Sequence, residues 1–278
     1  MKKFKGKRVL ITGGAGGIGL CTAQQFARDG AELVITDINS EALAEAAASL
    51  GADGTKVHTR VVDVSDRAAV QALAAWVVDD LGGLDVLVNN AGIGHHGEMG
   101  EMQLTEWDKL LAVNLMGPLN HVYAFLPHFK AKRAGQIVNV SSGQAFFRLP
   151  TWGAYAAIKA ALGVFSEVLH FELRKYGIKV TTVYPFMVNT PFYKDVEGDT
   201  WADKMSMKLL PWYSMTPERV GKIIFKAVRR PARVEKVSIL NDVGFYAQFV
   251  PMATSIIAST SNFLLAGGAD DDKADKAA

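Results

Sequence analysis

The sequence predicts an α/β fold built on an open parallel sheet, and three observations predict it. Short apolar strand runs alternate with helical segments along most of the chain. The first run, Arg8–Thr12, ends at a glycine cluster that opens straight into a helix. The second, Glu32–Thr36, ends at the acid Asp37, about 20 residues after the glycine turn. At 278 residues and 30.0 kDa the chain suits one α/β domain with insertions, and 49% hydrophobic residues supply a large core. A net charge of +2 argues against a dedicated nucleic-acid binder. The single cysteine, Cys21, excludes an intramolecular disulfide and fits a reducing compartment; in its apolar helical setting it reads as a packing residue. Basic residues at 1–7 are not followed by an apolar signal core, so no secretory leader is expected and the address is cytoplasmic.

In chain order, Gly13, Gly14, Gly16, Gly17 and Gly19 with Ile18 place backbone N–H groups and a helix N-terminus where a pyrophosphate can sit. Asp37 suits a hydrogen bond to an adenosine ribose hydroxyl and repels a 2′-phosphate; with neutral Ile38 beside it, this leans to NAD over NADP. The same acid could instead cap the following helix, as Asn39 or Ser40 could. Ser40–Leu50 is an alanine-rich helix, and the strand 57–62 leads to Asp63 and Val64, which would flank an adenine. Helix 66–81 and strand Val86–Asn89 follow, and Asn90, Ala91 and Gly92 at that strand's end belong to the ligand crevice of such a sheet. His95 and His96 lack metal partners at useful spacing, so no metal is expected. Thr105 starts a helix with Asp108 completing its cap, and Asn114 within it needs a hydrogen-bond partner.

Strand Gln136–Val140 delivers Ser141 and Ser142. Tyr155 and Lys159 then lie four apart on one helical face, where an ammonium favours the phenolate of a neighbouring phenol. The sixth strand, Lys179–Tyr184, runs into Pro185, Phe186, Met187, Val188, Asn189 and Thr190. Thr216–Pro217–Glu218 is a strong helix start, that helix runs to about Arg229, and Lys236–Leu240 reads as the last strand.

Taken in order, Thr12-Gly13-x-x-x-Gly17-Ile18-Gly19, Asn89-Asn90-Ala91-Gly92, Asn114, Ser142, Tyr155 and Lys159 closely resemble the short-chain dehydrogenase/reductase family, over roughly residues 5–190. The resemblance implies a Rossmann-type, doubly wound, seven-stranded parallel sheet and hydride transfer between a nicotinamide cofactor and an alcohol or carbonyl. It further implies Tyr155 as general acid/base and Ser142 positioning the substrate oxygen. Lys159 would lower the Tyr pKa and hold the nicotinamide ribose, Asn114 would keep a water linking Lys159 to solvent, and Val188 and Thr190 would meet the carboxamide. A homo-oligomer, dimer or tetramer, is implied as well. The chain departs from the pattern at Pro185-Phe186, where the family usually has Pro-Gly, so Phe186 is expected to press on the nicotinamide or line the substrate pocket.

Residues 1–266 are therefore expected to form one catalytic domain, with 191–215 a substrate lid and 241–266 an apolar C-terminal segment; 267–278 reads as a disordered tail. Phe192, Tyr193, Trp201, Met205, Met207, Trp212 and Met215 make the lid aromatic- and methionine-rich, with Gln144, Phe146, Phe147 and Trp152 as the facing wall and Met187 beside them. That favours a lipophilic secondary alcohol or ketone, steroid-, retinoid- or aliphatic-like, as substrate. The segment 241–266 covers substrate, contacts another subunit or touches a membrane surface. Two other readings stay open: an NADPH-dependent ketone or 3-ketoacyl reductase, and a catalytically silent nucleotide-sensing protein.

Overall fold

The structure is a computed structural model and describes residues 2–147, 149, 151–190, 214–237, 239–247 and 249. Strands β1 (Arg8–Thr12), β2 (Glu32–Asp37) and β3 (Val57–Val61) alternate with helices α1 (Gly17–Arg28), α2 (Ser40–Gly51) and α3 (Arg67–Ala75). Strand β4 (Val86–Asn89) leads to α4 (Leu104–Leu111) and α5 (Gly117–Lys132), and β5 (Gly135–Val140) leads to α6 (Gly153–Leu173). Strand β6 (Ile178–Tyr184), α7 (Pro217–Arg229), β7 (Val234–Lys236) and α8 (Ile239–Ala247) complete it. The seven strands are all parallel, in the order β3-β2-β1-β4-β5-β6-β7. The chain winds outward from β1 to β3, then returns to β4 on the other side. The order therefore reverses between β1 and β4, and the crevice at the carboxyl ends of those two strands is where such sheets bind ligands.

Successive strand residues point to opposite faces, and both faces are covered. Ile11, Leu33 and Ile35 pack with Phe26 of α1 and Val220 and Ile224 of α7. Leu10, Val34 and Leu87 pack on the other face with Val70, Phe125 and Leu169 from α3, α5 and α6. The rings of Phe4, Phe26 and Phe225 meet at 5.0–5.7 Å and close the base of the first layer.

Three element boundaries differ from the sequence reading. The last strand is Val234–Lys236, pairing with Thr182–Tyr184, and the apolar run from Ile239 is helical; a short apolar run does not distinguish strand from helix by periodicity. Helix α4 starts at Leu104, and the Glu106 carboxylate, not Asp108, accepts from the Gln103 N–H at 2.9 Å. Helix α3 passes into a π-helical turn, Trp76–Asp80, and a second, Ala112–Met116, joins α4 to α5 around Asn114. The proposed lid residues 191–213 and the chain beyond 249 lie outside the described residues. Of the predicted lid, Met215 is buried: it exchanges backbone hydrogen bonds with Met187 and Asn189, at 2.7 and 3.0 Å, and its side chain packs in the core layer of Val188 and Val220.

Candidate active site

At the end of β1 the backbone turns through Gly13 and Gly17 with φ of 63° and 50°, left-handed values that glycine tolerates. Gly19 lets α1 approach that turn, because a side chain there would collide with the Gly13 carbonyl oxygen. Asp37 ties the turn to β2: its carboxylate accepts from Ala15 N and Asn39 N, each at 3.2 Å. The cap of α2 is Asn39, which accepts from Glu41 N and Ala42 N at 3.1 and 3.0 Å, so Asp37 is not needed there. Across the reversal point, Thr12 Oγ1 accepts from both Asn90 N and Ala91 N at 3.0 Å. The Asn90 side chain donates back to the carbonyls of Thr12 and Gly13.

A cavity of about 700 Å³ opens along these strand ends. It is lined by Gly13, Gly16, Gly17, Ile18, Asp37, Ile38, Asp63, Val64, Asn90, Ala91, Gly92, Pro185, Val188 and Thr190, all expected from the sequence, and by Ser142, Tyr155, Lys159 and Met187. It also includes residues that sequence reasoning missed, among them Val62, Ser65, Ile93, Lys109, Val113 and Ser141. No local pattern singled out Lys109; Ser141 was half of a serine pair of which only the second was chosen. Eight expected residues do not line the cavity: Gly14, Gly19, Asn114, Gln144, Phe146, Phe147, Trp152 and Phe186. Phe192 lies outside the described residues.

Their positions explain why. Asn114 is fully buried behind Gly92, and its amide accepts from Ile93 N at 3.1 Å and donates to Ile93 O at 2.9 Å. Its side chain therefore braces the β4 loop, using one of its two N–H groups and one lone pair of its oxygen. Trp152 packs edge-on against Tyr155 and His96, with ring centroids 5.8 and 5.5 Å away. His96 Nε2 is hydrogen-bonded to Thr151 Oγ1 at 2.8 Å, which joins the β4 loop to the start of α6. Phe186 packs over Gly143 and against the Phe147 ring, centroids 5.0 Å apart, so it neither presses into the cavity nor lines it. Its own φ is not left-handed, so a glycine is not required there; Met187 carries the positive φ, 50°.

Tyr155 and Lys159 reach the cavity from the first turns of α6, and both are buried. The Lys159 Nζ sits 5.6 Å from the Tyr155 ring centroid and donates to Val140 O at 3.2 Å. Ser141 Oγ donates to Lys159 O at 2.7 Å, so the end of β5 and this turn of α6 clamp each other. Burial pushes the Lys159 ammonium down to about 8, close enough to neutrality for the group to keep its charge at pH 7 and give it up just above. Ser142 Oγ accepts from Gln144 N at 3.2 Å, which leaves its hydroxyl proton to donate elsewhere. Cys21 is buried, and its thiol is pushed up to about 11 by that burial and by Glu218. Among the described residues no three His, Cys, Asp or Glu side chains gather where a metal could bind.

The short chain dehydrogenase family matches residues 7–201 of this chain. Two Mycobacterium tuberculosis proteins named as oxidoreductases are similar to it. EphD is 36% identical over 240 residues, and the match covers 83% of this chain but only 40% of EphD. SadH is 31% identical over 277 residues, covering 96% of this chain and 97% of SadH. Among solved structures, a short chain dehydrogenase/reductase from Burkholderia phymatum in complex with NAD superposes with a TM-score of 0.78 at 28% identity, covering 85% of this chain and 90% of that one.

Proposed function

Because the chain belongs to the short-chain dehydrogenase/reductase family, we propose that it is an oxidoreductase moving a hydride between NAD(H) and a lipophilic secondary alcohol or its ketone. One observation carries this reading: Ser142, Tyr155 and Lys159 open into the same cavity as the glycine turn and Asp37. The residues present fit a dinucleotide. A side chain at Gly16 would meet nothing within 4 Å, so a pyrophosphate has open access to the backbone there. Val62, Val64 and Ile38 give an adenine apolar walls, and the Asp37 carboxylate can accept from a ribose hydroxyl while opposing a 2′-phosphate. When bound, the nicotinamide supplies the hydride acceptor or donor.

The chain's own part is proton handling and orientation. The Ser142 hydroxyl donates to the substrate oxygen and fixes it. The Tyr155 hydroxyl exchanges a proton with that same oxygen, as base for alcohol oxidation and as acid for ketone reduction. Lys159 holds positive charge beside the phenol at pH 7, favouring the phenolate, and Asn114 keeps Gly92 and Ile93 against it. Residues 1–266 act as one catalytic unit in this reading. Met187 and Ile93 in the cavity, with the aromatic- and methionine-rich composition of 192–215, support an apolar substrate.

The test is turnover of a panel of apolar secondary alcohols and ketones with NAD(H) and NADP(H), in wild type and Tyr155→Phe. NAD-linked turnover is expected, falling about 10²–10⁴-fold in the variant while NAD binding persists. Near-normal turnover in Tyr155→Phe refutes the role of the phenol. A preference for NADPH selects the ketone-reductase reading, and dinucleotide binding without turnover selects the sensing protein.

A further inference from the structure

We propose that helix α8 sets the position of Ser142 through its contacts with Phe146 and Phe147, which makes residues 239–247 a positioning element of the reaction although none of them lines the cavity. The inference rests on the role given above to Ser142. Ser142 enters a single 3₁₀ turn, Gly143–Ala145, and the next two residues are Phe146 and Phe147. Gly143 N donates to Pro185 O at 2.6 Å, so this turn is bonded to the exit of β6. The Phe186 side chain lies on Gly143 so closely that a methyl group there would come within 2.5 Å of Phe186 Cδ2 and 2.8 Å of its Cβ. Phe186 in turn stacks on Phe147, rings tilted by 34°. The Phe147 ring occupies the space a side chain would need at Gly244 of α8.

The second connection runs parallel to the first. Phe146 lies between Tyr184, at the last position of β6, and Phe245 of α8, with centroids 4.6 and 5.1 Å away. Both residues that follow the serine turn are thus held between the exit of β6 and one helix. Gly143 and Gly244 each leave room for a neighbouring aromatic ring, and Phe186 stands where the family pattern has a glycine with no ring to offer. Close-packed interiors pass a displacement on rather than absorb it. A shift of α8 therefore moves Phe147 and Phe146, and with them the turn that carries Ser142.

Three variants of the full chain test this: Phe186→Gly, Gly244→Val and the pair combined, with Gly244→Ala standing in where Gly244→Val does not fold. Hydrogen–deuterium exchange is expected to quicken over residues 142–147 in each single variant, with the glycine turn at 13–19 unchanged. In turnover, kcat is expected to fall about tenfold while the dissociation constant for NAD stays within twofold of wild type, roughly the experimental spread. The double variant should lose no more than the worse single one, since both cut one chain of contacts. Unchanged exchange over 142–147, or losses in kcat that multiply, would overturn the proposal. Absence of any turnover in wild type overturns the dehydrogenase reading instead, and the exchange data still decide whether α8 governs the serine turn.

Discussion

At the β1–β2 end the cavity is walled by backbone; at the β5–β6 end it is walled by side chains that meet from far apart in sequence. The first end consists of glycine φ angles, amide N–H groups and one carboxylate within residues 13–37, plus the Thr12 hydroxyl that binds the backbone of Asn90 and Ala91. The second needs Ser142 just after β5, Tyr155 and Lys159 from α6, Met187 from the β6 loop, and behind them the Phe245 ring of α8 packed on Phe146. Backbone sites tolerate little change at the glycines but are indifferent to the rest of the chain. Side-chain sites depend on packing that no short motif encodes. Each end should therefore fail in its own way.

The largest effect on cofactor affinity is expected from Gly19→Ala, which tests the backbone end. Its methyl group would overlap the Gly13 carbonyl oxygen and crowd the Asn90 side-chain amide at 2.7 Å. Neither partner is the free end of a flexible chain, so α1 or the turn must move. NAD affinity, measured by calorimetry, should drop by about a hundredfold, equivalent to about 2.7 kcal/mol, because the displaced turn no longer presents its N–H groups to the pyrophosphate. Unaltered affinity would mean that the turn yields more easily than its contacts suggest.

That asymmetry also explains what could be read from sequence alone. The strand–glycine–helix order, the acid ending β2 and the small residues after β4 are local signals, and the structure places Gly13, Gly17, Asp37 and Asn90 together as those signals imply. Tyr155 and Lys159 were legible because their spacing is itself the geometry of a helix face. Phe147, Trp152 and Phe186 do not line the cavity, because apolar content near a site does not say which way a ring turns. Here the rings satisfy one another instead of facing the cavity. Asn114 was read as polar and in need of a partner, and the partner proved to be the Ile93 backbone, 21 residues away. The run from Ile239 was apolar enough for a strand, yet the last strand is Val234–Lys236 on β6 and the run itself is helical.

Lys159→Met sharpens the contrast from the side-chain end. Burial holds the folded-state pKa near 8 against an ordinary 10.5, so the folded protein carries this charge at a cost at pH 7. The unfolded chain keeps its proton up to 10.5, and the penalty is fully present below about pH 8 and fades as pH rises toward 10.5. Removing the amine should abolish turnover yet stabilise the fold at pH 7 by up to about 3 kcal/mol, less the lost bond to Val140 O. Urea unfolding at pH 7 and pH 10 checks it: the gain should shrink at the higher pH. A variant less stable than wild type at pH 7 would mean that the lysine is held for packing and not for its charge.

The smallest effect on the site belongs to the other acid of β2. Asp37 ends that strand at the cavity, while Glu32 begins it at the far edge, where one carboxylate oxygen meets Arg8 at 3.0 Å and the other meets Lys56 and His58 at 2.9 and 2.7 Å. Burial would raise the Glu32 pKa, but hydrogen bonds from Lys56, Arg8 and His58 outweigh it and hold the group at about 2, against an ordinary 4.5. The stabilisation is complete above about pH 5 and is lost as pH falls through the folded value, because the unfolded chain binds the proton first. Glu32→Gln should cost about 1–2 kcal/mol at pH 7, discounted for the partly exposed Lys56, with kcat and NAD affinity unchanged. The stability difference should narrow between pH 5 and pH 3 in urea titrations. A change in NAD affinity would show that the two ends of β2 are coupled along the strand, and that the backbone end of the cavity is less self-contained than its geometry implies.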